Sequence, residues 1–98
     1  MLQTSNPEIA SSPTGVSVGA TTTPVLAANP NRTGLTLVNT SPNTISISFD
    51  VNPAVLNSGI TLVPNGMFVM DEFTFTTQAV NAIASLGSSN LSVQEFVA

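Results

Sequence analysis

Five carboxylates and one arginine are the only charged side chains in this 98-residue chain, and no histidine, lysine, cysteine, tyrosine or tryptophan accompanies them. Nucleophilic catalysis needs a base beside the nucleophile, so any serine or threonine here would depend on a carboxylate alone. Glycoside hydrolysis needs two carboxylates facing each other across a sugar. The one adjacent pair, Asp71 and Glu72, falls in an extended run, where neighbouring side chains point to opposite faces. A hard cation at that pair would want further oxygen ligands, and no third carboxylate is near it in sequence. The chain has no thiolate or imidazole for zinc or copper and no glycine-rich phosphate loop. This inventory points away from an enzyme and implies no cofactor.

The remaining singular group is Arg32, the only cationic side chain. It follows Asn29, Pro30 and Asn31, a stiff corner, because proline fixes its own φ and pushes the residue before it out of the helical region. A planar guanidinium suits a carboxylate or a set of loop carbonyls. Glu95 is the expected partner. It shares strand parity with Leu91 and Val93, so it points toward the core margin, where an unpaired carboxylate is costly. The competing reading makes Arg32 a contact for an acidic partner or a glycan. Phe96 has the opposite parity, which puts an aromatic ring where another subunit would meet it.

The elements that must position these groups are strands. Leu35 and Leu37 alternate with Thr36 and Val38, and Ile45, Ile47 and Phe49 alternate with Ser46 and Ser48, the period of two of half-buried strands. Ser41-Pro42-Asn43 between them is turn chemistry, predicting an antiparallel hairpin over residues 35–50. Pro64-Asn65-Gly66 predicts a second hairpin, with glycine supplying a positive φ. Gly87-Ser88-Ser89 joins residues 78–86 to residues 90–96 as a third. Residues 22–27, with Pro24, suit an edge strand. Residues 51–58 break the alternation and read as a loop with one helical turn, either carrying contacts or crossing the sandwich with Val55 and Leu56 in the core; Phe73 and Phe75 are expected in the core, the alternative being a sugar-stacking platform. The fold class is all-β: a small antiparallel β-sandwich or jelly-roll-like domain of seven or eight short strands over residues 22–98. An extended N-terminal arm, residues 1–21, precedes it and is expected either to be disordered or to order on a neighbouring subunit or a surface.

Composition narrows the partners. Charged residues make up 6% of the chain, against about 25% in ordinary domains, and Ser, Thr and Asn fill 35 of 98 positions. With 42% hydrophobic residues in alternating order, the chain lacks the low hydrophobicity and high charge of disordered segments. One cation cannot release the counterions that drive nucleic-acid binding or hold a polybasic membrane contact. No run approaches the ~20 apolar residues of a spanning helix, the first residues lack the pattern of a signal peptide, and without cysteine there are no disulfides. A domain this small buries only somewhat more than ~60% of its unfolded surface, so a homo-oligomer is expected.

Several short motifs then occur in a telling order: Leu26-Ala27-Ala28-Asn29-Pro30-Asn31-Arg32, Leu35-Thr36-Leu37-Val38-Asn39 and Ser46-Ile47-Ser48-Phe49. Next come residues 59–66, residues 79–83 and Leu91-Ser92-Val93-Gln94-Glu95-Phe96. Together they resemble a small β-domain that recurs in virion proteins of tailed bacteriophages. The likeness covers residues 22–96. It implies a capsid decoration or cement protein on the outer surface of the head, bound to the major capsid protein and assembled as a homotrimer. The alternative it leaves open is a tail or fibre accessory, or a host-receptor module that binds glycan.

Overall fold

A computed structural model of the chain describes residues 8–98. The described residues form nine strands and no helix: β1 (Ile9–Ala10), β2 (Thr14–Val18), β3 (Thr23–Leu26), β4 (Arg32–Asn39), β5 (Ile45–Phe49), β6 (Ile60–Leu62), β7 (Met67–Val69), β8 (Val80–Ala84) and β9 (Ser89–Val97). They make two antiparallel sheets. In the first, β9 lies between β4 and the edge formed by β1 and β2, and β7 lies outside β4; the second has the order β3-β8-β5-β6. Taking β1 and β2 as one interrupted edge strand, this is the eight-stranded double-sheet order of a jelly roll.

The alternating apolar residues meet between the sheets. Val18, Leu35, Leu37, Leu91 and Val93 from the first sheet face Ile45, Ile47, Leu62, Val80, Ala82 and Ala84 from the second, all buried. Phe49 and Phe68 close one side of this layer, with ring centroids 6.0 Å apart. Burying each of the Val, Leu and Ile side chains stabilises the fold by roughly 1.5–3 kcal/mol, an upper-bound scale.

The three expected hairpins are instead arches between the sheets. β4 and β5, β6 and β7, and β8 and β9 each lie in different sheets. Only β1–β2 and β5–β6 stay within one sheet. A period of two is identical in a hairpin and in an arch; what differs is whether the apolar faces lie side by side or face each other. The Pro64 turn also uses its residues differently. Asn65 carries the positive φ of 68°, while Gly66 allows close approach, since a Cβ there would lie 2.9 Å from the Val63 carbonyl oxygen. Pro64 second and Asn65 third is the type II form.

The arm also needs correction where it is described. Residues 1–7 lie outside the described residues, but β1 and β2 pair antiparallel with β9, and Val18 is fully buried. Between Ala10 and Thr14 the strand holds one more residue than β9 does opposite it. This bulge contains Pro13, which has no amide to donate. Val16 and Val18 therefore complete the core, and removing residues 1–20 would take away an edge of the sandwich rather than a free arm.

Residues 51–58 do not cross the sandwich and hold no helix. They connect β5 to β6 and fold back over the outer face of the second sheet. The Asn57 amide donates to Ser46 Oγ at 2.8 Å, and the Ala54 amide donates to Thr22 Oγ1 at 2.9 Å. Asn81 Nδ2 donates to the carbonyls of Asp50 and Asn52. Ala54 is buried and Leu56 half-buried, while Val51 and Val55 are exposed.

Candidate functional site

Arg32 begins β4 at one end of the sandwich. Leu35, Leu37 and Asn39 all face inward, so strict alternation would turn Arg32 outward. The register with β9 shifts by one residue between Arg32 and Gly34, and this bulge at Thr33 turns the guanidinium inside. Arg32 is 1% exposed. Its Nε donates to Glu95 Oε2 at 2.7 Å. Nη1 donates to the carbonyls of Thr76 and Gln78 at 3.1 and 2.7 Å, and Nη2 donates to the Ala27 carbonyl at 3.0 Å. One cation thus ties β9, the β3–β4 corner and the β7–β8 loop together. The bulge leaves Thr33 Oγ1 buried and without a hydrogen-bond partner, a cost of about 1–3 kcal/mol.

The corner before Arg32 is clipped through its backbone. Asn29 Oδ1 accepts from the Asn31 amide, the Asn29 amide donates to the Thr77 carbonyl at 2.7 Å, and the Arg32 amide donates back to the Asn29 carbonyl. Pro30, between them, is exposed, while Asn29 is half-buried. Asn29, Pro30, Asn31, Arg32 and Glu95 therefore come together as one structural knot. Arg32 is turned away from solvent and from any outside ligand.

Phe96 lies on the other side of β9, half-buried and opposite Gly34. Its Cβ and Cδ1 approach to 3.6 Å from where a Cβ on residue 34 would stand, so the ring covers a glycine gap in β4. It also walls an open groove of about 320 Å³, shared with Glu8, Thr33, Gly34, Leu35, Thr36, Val69 and Met70.

Register places Phe96 on a larger surface. The outward residues of the first sheet are Ala10 on β1; Gly15 and Ser17 on β2; Asn90, Ser92, Gln94 and Phe96 on β9; Gly34, Thr36 and Val38 on β4; and Met67 and Val69 on β7. None is charged. Met67 and Val69 are 59% and 56% exposed. The sequence signal for this face was the unbroken apolar run Met67-Phe68-Val69-Met70: Phe68 serves the core, which leaves its neighbours facing out.

A second exposed surface lies on the β7–β8 loop. Phe73, expected in the core, is 86% exposed, and Phe75 is 48% exposed. Asp71 Oδ1 accepts from the Phe73 amide at 2.8 Å, from the Thr74 amide at 3.1 Å and from Thr74 Oγ1 at 3.1 Å; Thr74 Oγ1 also caps the Asp71 amide. The Phe73 amide holds the Asp71 carboxyl below its ordinary value, against the opposing effect of desolvation and with help from Thr74. Among the described residues, no three His, Cys, Asp or Glu gather into a group that could hold a metal ion.

At the opposite end of the sandwich is a group that sequence reasoning missed. Asn39 is fully buried. Its Nδ2 donates to the carbonyls of Asn43 and Leu62 at 2.7 and 2.8 Å, and its Oδ1 accepts from the Ser41 amide and hydroxyl. Its backbone bonds Asn65 and Gly66. No family model, curated protein or solved structure matches the chain.

Proposed function

We propose that this chain is a bacteriophage virion structural protein, a capsid decoration or cement protein that binds the major capsid protein on the outer surface of the head. In this reading it acts as a homotrimer and stabilises the shell by subunit contacts. The observation that carries it is the outer face of the first sheet, whose strands present no charged side chain and whose groove is bordered by Glu8, with Met67 and Val69 exposed beside Phe96. The second sheet covers its own back with residues 51–58, and the first has no such cover among the described residues. A face of Ser, Thr, Gln and apolar groups suits fixed packing between subunits, since its strands present no charge to desolvate. The resemblance noted in the sequence supplies the virion setting. Jelly rolls do serve as capsid domains, but also as lectin domains, so the fold supports this reading without carrying it.

Cryo-electron microscopy of intact particles tests the reading. Trimeric density repeated over the head is expected. Density confined to the tail or vertices would replace it with a tail-accessory role. In solution, light scattering at micromolar concentration should give three times the chain mass. Met67→Glu with Val69→Glu should lower that mass to one chain, and a monomeric wild type would sink the trimer.

A further inference from the structure

We infer that the β7–β8 loop is a separate docking element, with Phe73 as the anchor, for a different protein chain that presents an apolar pocket bordered by Lys or Arg. The argument begins with what the loop exposes. Phe73 is the most exposed aromatic ring of the chain, and Phe75 stands two residues on. A large ring held in water gives the fold nothing, whereas a rigid exposed aromatic is the usual centre of a binding hot spot. The backbone beneath it is fixed in advance: one carboxylate oxygen of Asp71 gathers the amides of Phe73 and Thr74, and Arg32 pins the carbonyls of Thr76 and Gln78 behind them. Ordering lost on binding is therefore small.

Charge then selects the occupant. Asp71 and Glu72 are exposed beside the ring. The only cationic side chain in the whole sequence is Arg32, and it is buried against Glu95. A second copy of this chain therefore has no cationic side chain to place against the loop, and its own groove is bordered by Glu8, which would repel the acidic pair. The complementary surface must belong to another protein and carry positive charge around an apolar recess. This is the attachment that the capsid reading needs, but it stands if the partner proves to be some other protein.

The test places photoreactive benzoylphenylalanine at position 73, and separately at position 67, in the cells that naturally make the protein. Crosslinked peptides are then mapped by mass spectrometry. From position 73, crosslinks to a different chain are expected, in a peptide where apolar residues adjoin Lys or Arg. Glu72→Gln should lower their yield about two- to fivefold. With the identified partner purified, Phe73→Ala should weaken binding at least ~30-fold while leaving the oligomeric mass unchanged. A foreign partner other than the capsid protein would remove the capsid reading and keep this inference. Crosslinks from position 73 only to copies of this chain would overturn it. So would no crosslink at all, a foreign peptide without a cation, or a Phe73→Ala variant that binds as the wild type does.

Discussion

At one end of the sandwich a neutral amide, Asn39, ties the β4–β5 turn to the end of β6 and the β6–β7 turn; at the other a guanidinium, Arg32, ties the β3–β4 corner to the longer β7–β8 loop. Both groups are buried and each satisfies several loop atoms. The neutral end is self-contained, because one side-chain amide offers two donors and an acceptor to turns only a few residues long. The other end must order residues 70–79, which present few apolar groups to the core. A cation can collect several backbone carbonyls at once, and bonds to a charged group are about twice as strong as neutral ones. The difference teaches where exposure is tolerated: the loop tied by charge is the one that can hold an aromatic ring in solvent.

Arg32→Ala should give the largest effect. It strips Glu95 of its partner and leaves the carbonyls of Ala27, Thr76 and Gln78 unbonded, a loss of about 3–5 kcal/mol. Denaturant unfolding of Arg32→Ala, Glu95→Gln and the double variant should show coupling, with the double losing less than the two singles together. Simple additivity would mean that the pair does not act as a unit.

Asn39→Ala should cost about 2–3 kcal/mol by leaving buried acceptors and the Ser41 amide unpaired. The comparison sharpens with isosteric changes: Glu95→Gln still offers an acceptor to Arg32, but Asn39→Asp turns two donors into charge aimed at two carbonyls. Asn39→Asp should therefore unfold at lower denaturant than Asn39→Ala. The reverse order would show that the neutral end tolerates charge after all.

Ser46→Ala comes next, at about 1 kcal/mol, because Ser46 Oγ accepts from Asn57 and bonds Thr61 Oγ1. Amide exchange should quicken at Asn57 and not at Asn39.

The smallest effect is electrostatic. The Asp71 carboxyl titrates below its ordinary value in the folded protein, so the folded state binds that proton less readily than the unfolded chain does. The stabilisation is complete above the ordinary aspartate range and is lost as pH falls through the lowered value. The Phe73 amide resonance should follow that titration, and in Asp71→Asn it should not move. A Phe73 amide that titrates in the ordinary aspartate range would mean that the turn is not held by the carboxylate.

How far these features were legible in the sequence depends on what marks them. The strands were legible because alternation is a direct image of a half-buried sheet. Which strands pair was not, since hairpin and arch share that pattern, and the buried Asn39 that ties two of the arches together looks like any other asparagine in an asparagine-rich chain. The meeting of Arg32 with Glu95 was legible from parity and from there being one cation; the bulge that makes it possible was not. Phe73 and Phe75 imitate a strand in sequence. Only the capture of two amides by Asp71 reveals a turn.

The order of strands also sets a timetable for folding. β9 is the strand that joins β1, β2 and β4, and it follows all of them in the chain. Until residues 89–97 are in place, the first sheet has no centre, and β4 has only β7 beside it. Pairing between segments so distant in sequence must meet its loop-closure entropy before any contact rewards it. Folding should therefore be slow for so small a domain, with the apolar face of β4 incompletely covered until β9 pairs with it.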